Sequence, residues 1–304
     1  MKMKPNTFPV VVALLLGGCA TSPSVQVHKS DADIELSRHG QPVLTYTLRP
    51  PPNSGLPLMA GGYFHPLKTP AGVVVTDFVP EDHKHHRGLF LAWVEMHGTK
   101  DADFWGWGAH APVKDRRIVN RSVTMQRNGF VARNDWIAED TVLLEEELGA
   151  TSGFESGVNV LDLKYRLLPK TDLTLSRWAF SGFCLRVRKE GDIRIASPNG
   201  LVTLPNPSHV KPESDWPDAA WYACEQHLPN GQAIGAAVIN HPSNPRTLWH
   251  NHRDVRMINP CIVAPGEVKL RAGQPLVLRY RVVTFDGAIP ARELDKLAAE
   301  FSGR

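Results

Sequence analysis

Much that would identify a function at once is missing from this chain. There is no G-x-S-x-G, no H-E-x-x-H, no phosphate-binding loop and no glycine fingerprint for a dinucleotide. The familiar serine-hydrolase, zincin and nucleotide-binding readings therefore fall away. Cysteine is scarce, four in 304 residues, and none are in C-x-x-C spacing. That spacing disfavours a thiolate zinc site. Beyond the N-terminus no apolar run approaches the length of a membrane span. Charge of one sign is also lacking. Lys and Arg number 34 against 31 Asp and Glu, a formal +3. No basic cluster suggests a nucleic-acid partner. Helical periodicity is confined to one short stretch.

The N-terminus reads as a targeting segment. Lys2 and Lys4 make a positive start, and residues 8–16 make a short apolar stretch. Leu16-Gly17-Gly18-Cys19 follows and resembles a bacterial lipobox, which would make Cys19 the lipidated residue of the mature protein. Ala20 is not Asp, so the lipoprotein sorting rule implies the outer rather than the inner membrane, on the periplasmic face. The expected organisation is a signal peptide over 1–18, a tether over 19–29 and one domain over 30–304. Such a compartment permits disulfides among Cys184, Cys224 and Cys261, but the odd count leaves at least one thiol unpaired. Buried thiols on strands are the plainer expectation.

The mature chain reads as strand after strand. Residues 34–37 and 43–46 flank His39-Gly40 as a hairpin. A Val-rich strand is expected over 72–78. A strand apolar on both faces, and so central, is expected over 88–96. Residues 119–126, 130–137 and 141–148 form a meander with Asn128-Gly129 as its first turn. Further strands are expected over 159–168 and 173–176. Hairpins are expected across 189–191 and 229–231, and two strands flank Ala272-Gly273. One amphipathic helix covers 290–301, with Leu294, Leu297, Ala298 and Phe301 on one stripe, and is expected to cap a sheet edge. The fold class is all-β: a large antiparallel β-sandwich with a short C-terminal helix. Residues 198–217 form the longest irregular stretch, and long loops in compact domains are often functional.

The chemistry concentrates in Glu81-Asp82-His83-Lys84-His85-His86-Arg87-Gly88. Three imidazoles this crowded cannot share an apolar core without partners. If the stretch is extended, His83 and His85 face one way and His86 the other. A second concentration lies far downstream, in His241-Pro242-Ser243-Asn244-Pro245-Arg246 and Trp249-His250-Asn251-His252. If the two meet, they build one polar pocket walled by aromatic rings. His83, His86, His241 and Asp82 are then the candidate catalytic groups. The imidazoles suit either acid/base work or a divalent transition metal, with His83, His86 and His241 as its ligands. His65, Arg87, Trp105, Asn244, Arg246, Trp249 and His250 are the candidate substrate-binding residues. Arg87 would clamp a carboxylate or pair with Asp82 or Glu81. Trp105 and Trp249 would wall a ring.

Phe64-His65-Pro66-Leu67, the Asp82-His83-x-His85-His86-Arg87-Gly88 block, Phe104-Trp105, His241-Pro242-x-Asn244-Pro245-Arg246 and Trp249 together resemble the bacterial family labelled methane oxygenase PmoA. The resemblance spans roughly 57–285. Lys84 stands where relatives often carry Pro. A membrane methane monooxygenase subunit needs several spanning helices, which this chain lacks after its signal. What the resemblance implies is a galactose-mutarotase-like supersandwich and an association with carbohydrate. Three readings follow: an enzyme acting on a sugar by epimerisation, elimination or hydrolysis; a non-catalytic sugar-binding lipoprotein; and a metal-dependent oxygenase. The expected partner is a small carbohydrate, with membrane contact only through the lipid anchor.

Overall fold

A computed structural model describes Met1 and residues 25–303. The signal segment and Cys19 lie outside the described residues. Residues 26–29, part of the stretch read as a tether, form the strand Gln26–Lys29 on Asp33–Arg38.

Among the described residues the architecture is all-β with one helix of more than a single turn. A seven-stranded sheet runs in spatial order Gln26–Lys29, Asp33–Arg38, Gln41–Thr47, Tyr63–Leu67, Leu89–Ala92, Gly182–Arg186, Met257–Ile258. A ten-stranded sheet faces it. Its centre is the run Trp221–His227, Ala233–Asn240, Leu276–Asp286, Val158–Pro169, Thr141–Glu155, Gly129–Ala138. The core fills the space between them: Leu36, Tyr46, Phe64 and Phe90 from the first sheet meet Leu148, Leu163, Tyr165 and Tyr280 from the second. Phe183 stacks on Tyr280 across this gap at 4.0 Å. The expected antiparallel sandwich is therefore the fold.

The helix, Ala291–Ser302, buries the expected stripe of Leu294, Leu297, Ala298 and Phe301. It lies on the outer face of the ten-stranded sheet, against Trp221, Ala237, Ile239, Val283 and Phe285, and does not cap an edge. Strand alternation makes this possible. Ile234, Ala236 and Val238 face the main core, while Ala237 and Ile239 face the helix.

Other expectations need local correction. The meander forms, but its first turn is Arg127-Asn128, because Gln126 pairs with Gly129. Gly129 is already in the strand, where a Cβ would sit 1.9 Å from the Ala150 carbonyl oxygen. Residues 72–78 make only isolated bridges, such as Thr76 with Val187. The expected hairpin across 189–191 does not exist: Gly182–Arg186 pairs in one sheet and Asp192–Ser197 in the other, so the chain changes sheets there. Cys184, Cys224 and Cys261 are all buried free thiols.

Three neighbouring strands set up the site. Leu89–Ala92, Gly182–Arg186 and Met257–Ile258 lie side by side at the end of the seven-stranded sheet. Gly88 accepts a hydrogen bond from the Arg186 amide, and Arg256 accepts one from the Val187 amide. The segments 82–87, 180–188 and 250–257 are thereby held together.

Candidate functional site

Residues 80–86 are not extended. The His83 amide donates to the Pro80 carbonyl and the His86 amide to the His83 carbonyl, two successive tight turns. The turns undo the strand alternation and gather all three imidazoles. His83 stacks on His86 at 4.9 Å, and His85 meets His86 edge-on at 4.7 Å. They form one wall of a cavity of about 300 Å³. The opposite side carries His209, His250, His252, Val255 and Met257, and Trp107 and Phe180 complete the lining. The volume lies at the low end for small-ligand pockets.

Beneath the first wall sits Arg186, whose side chain is fully buried. Its Nη2 donates to both Asp82 carboxylate oxygens at 2.8 and 3.1 Å. Its Nη1 lies 3.1 Å from His86 Nδ1. A guanidinium has no acceptor, so Nδ1 must accept and the His86 proton sits on Nε2. Burial, the other imidazoles and Arg186 hold the His86 pKa well below the usual range. The same causes bring His85 down to about 3. His85 and His86 are therefore neutral at neutral pH.

The second wall carries a buried pair. His250 Nδ1 lies 2.7 Å from Asp215 Oδ1, with the two side chains 2% and 0% exposed. Nδ1 is thereby occupied and Nε2 is left for the cavity that His250 lines. Burial penalises charge on both partners: it raises Asp215 to about 8 and lowers His250 to about 3. Glu213 adds to the rise and His209 to the fall. One proton therefore joins the pair as pH falls through about 8. Above that, ionised Asp215 accepts the Nδ1 proton and Nε2 carries a lone pair.

Asp215 sits at the end of the long irregular stretch, just past the single turn Pro212–Ser214. That stretch is braced from below. Arg253 donates to the Val202 and Leu204 carbonyls, and its amide donates to Asn206. Trp107 is positioned by Asp103, a buried carboxylate that accepts from the Gly106 and Gly108 amides at 2.7 and 2.6 Å.

Several expected site residues are elsewhere. His241 is not on the cavity. Its ring meets Phe301 of the helix edge-on at 5.0 Å, and its Nδ1 accepts from the Ser243 amide. The single pocket joining His83 and His86 to His241 does not form; the true partner is His250, nine residues on. Arg87 is a clamp on the backbone and binds no ligand. It is 1% exposed and donates to the Phe104 and Trp105 carbonyls at 3.0 and 3.1 Å, over the Phe90 ring. Trp105 is fully buried behind His86, and Trp249 is fully buried against Tyr222. The tryptophan that lines the cavity is Trp107. Asn244 is consumed in its own turn, donating to Asn240 and Arg279 and accepting from the Arg279 amide. Arg246 is exposed away from the lining. His65 contacts Thr76 at 2.9 Å and stacks on Phe78, also off the cavity.

The metal reading does not fit. Among the described residues no three His, Cys, Asp or Glu side chains are placed to hold a metal ion. His241 is remote, and His86 offers its lone pair to a cation already.

Asp215, His85, Arg186, His209, His252 and Trp107 belong to the site without having been singled out for it. Only His85 and His252, within the two histidine-rich stretches, had a local signal, and no sequence pattern pairs Asp215 with a residue 35 positions away.

A family profile matches residues 33–299: "Family of unknown function (DUF6807)". The chain belongs to this family. Among curated proteins none matches. Among solved structures, this chain is similar to the alpha-N-acetylgalactosaminidase NagBb from Bifidobacterium bifidum, at 12% identity and TM-score 0.37, over 93% of this chain and 39% of that one. It is similar to the heparan sulfate lyase HepC from Pedobacter heparinus, at 10% identity and TM-score 0.36, over 88% and 36%. It is also similar to a galactose mutarotase related enzyme from Lactobacillus acidophilus, at 7% identity and TM-score 0.34, over 87% and 97%. The chain thus spans well under half the length of the first two. At such scores the function of this DUF6807 member has to be argued from its own site.

Proposed function

We propose that this protein is an enzyme acting on a carbohydrate, with His250 as its acid/base group and Asp215 as the residue that orients it. The observation that carries the reading is the buried 2.7 Å Asp215–His250 contact in the cavity wall. A binding protein gains nothing from sealing a carboxylate behind an imidazole, whereas proton transfer needs a fixed tautomer and a stabilised imidazolium. The sugar assignment rests on the lining and on the resemblance to the PmoA-labelled family. Trp107 and Phe180 offer flat faces to the C–H side of a ring, and the imidazoles offer hydrogen bonds to its hydroxyls. As the lipobox implies, the enzyme is tethered through Cys19 to the periplasmic face of the outer membrane.

The test pairs binding with turnover over a panel of neutral and acidic sugars and their glycosides. Ligand-observed NMR reads binding and chromatography reads product. The expected result is that His250→Ala keeps the ligand and loses product at least a hundredfold. Binding with no product from the wild-type protein, metal added or not, would establish the non-catalytic sugar-binding reading instead.

A further inference from the structure

The cavity is unusual in what it withholds. Six imidazoles line it, those of His83, His85, His86, His209, His250 and His252, and no carboxylate does. The acids beside the lining histidines are engaged elsewhere. Asp82 is bound to Arg186, Asp215 lies behind His250, and Asp254, whose charge reaches His252, accepts from Asn206. Glycoside hydrolysis ordinarily needs two carboxylates flanking the scissile bond, and this lining has neither. A neutral sugar is commonly gripped by carboxylate acceptors as well as donors, and the Asp82 and Asp215 carboxylates are already engaged.

Resting on the carbohydrate-enzyme reading above, we infer that the substrate is an acidic sugar, a uronate or uronoside, whose carboxylate is held by the His83–His85–His86 wall, and that the reaction begins by removing the proton on the carbon next to that carboxylate.

The wall is built for an anion. His86 is fixed with its proton on Nε2, and the Arg186 guanidinium sits 3.1 Å behind its Nδ1. A cation hydrogen-bonded to the far nitrogen strengthens the near N–H as a donor. His83 and His85 crowd the same spot, at 5.6 Å from each other. A carboxylate seated against these rings is met by their N–H groups, with the Arg186 charge behind them.

The chemical step is the same for epimerisation and elimination up to its midpoint. His250 Nε2 takes the proton, the C–H bond pair moves onto the carboxylate as an enediolate, and the imidazole wall bears the added charge. The pair then either returns to carbon, which takes a proton from water on the other face while the hydroxide released takes the proton on His250, or forms a C=C bond as the β-oxygen leaves with its electrons and takes the proton on His250. Neither route needs an oxidant or a metal as co-reactant. The absence of a lining carboxylate is what selects these two routes over hydrolysis.

The experiment uses the full chain with sodium D-glucuronate, sodium D-galacturonate and D-glucose. Saturation-transfer titration gives affinity, and loss of the C5–H signal in D₂O at pH 8.5 gives deprotonation. The expected result is that at least one uronate binds tenfold or more tighter than glucose and loses its C5–H signal. His85→Gln, at a half-buried position, brings the two affinities within about threefold; if His86→Gln folds, it does the same. Glucose binding as tightly as both uronates, no uronate binding, or uronate binding without C5–H loss each overturns the inference. Turnover of a neutral sugar that depends on His250 overturns it while leaving the enzyme reading intact. Uronate selectivity with exchange unchanged in His250→Ala overturns the role of His250 and leaves the anionic wall standing.

Discussion

At the scale of single residues, the site depends on buried polar groups held by one or two partners each. Asp215 is the sharpest case. With its carboxyl raised to about 8 by burial, the pair takes up a proton as pH falls through that value, and Nε2 loses its lone pair or its drive to accept a proton. Turnover should therefore rise with pH up to about 8 and level off above it. Glu213 and Cys261 face Asp215, and His209 and His252 face His250, so the limb belongs to this group as a set. In Asp215→Asn the limb near 8 should vanish and the rate fall at least about a hundredfold, as a pH–rate profile would show. A rising limb that persists in the variant assigns it to another group. Arg87 makes the opposite case. It donates to backbone carbonyls and touches no cavity. Arg87→Met should cost about 3 kcal/mol or more in denaturant unfolding, because buried acceptors lose their donor. A variant of unchanged stability but raised KM would return Arg87 to substrate binding.

Elements were legible where their signal was local. The meander over Arg116–Gln126, Gly129–Ala138 and Thr141–Glu155 follows from alternation and short turns, and the helix from one 3.6-residue stripe. What the sequence left open was which surface each element meets. Residues 182–197 read as two strands about a Gly turn, yet the strands enter different sheets, a choice made by neighbours a hundred residues off. The helix stripe likewise says that something is covered without saying whether it is an edge or a face. Covering a face makes the helix costly to lose. Leu297→Ala should destabilise the protein by about 2–5 kcal/mol, since Leu297 is fully buried against the sheet. Thermal unfolding checks this, and a shift within error would mean that the helix frays freely from the sheet.

Over the whole molecule, the space between the sheets holds an ionisable group as well as apolar rings. Glu146 is 4% exposed and is bonded by Asn134 and Trp136 at 2.7 and 3.0 Å. Burial raises it to about 7 against these bonds. Its folded pKa thus exceeds its unfolded one, so its contribution to stability is full below about 4.3 and is lost as pH climbs through about 7. The loss is on the order of 3 kcal/mol. Urea unfolding of the wild-type chain should weaken from pH 5 to pH 8 more steeply than that of Glu146→Gln, which has no such proton to lose. Equal slopes would place the effect elsewhere, Asp103 being the next candidate at about 6. The candidate site is a property of the same scale. The histidine cluster was visible as composition, because crowded imidazoles demand an explanation. The partner across the cavity was not, because His250 is brought beside Asp215 by the pairing of Trp249 with Trp216, whereas His241 follows the strand Ala233–Asn240 and meets the helix. Two histidines of one sequence concentration thus part company in the fold.

The strands under the helix carry a consequence for how the chain comes into being. Ala237, Ile239, Val283 and Phe285 are all made before residues 291–302 that shield them. During synthesis the sheet can pair fully while its outer face is still bare, and a bare apolar face is a surface to which other chains adhere. The helix that follows these strands therefore works as a lid against misassociation, and a chain cut before it exposes that face.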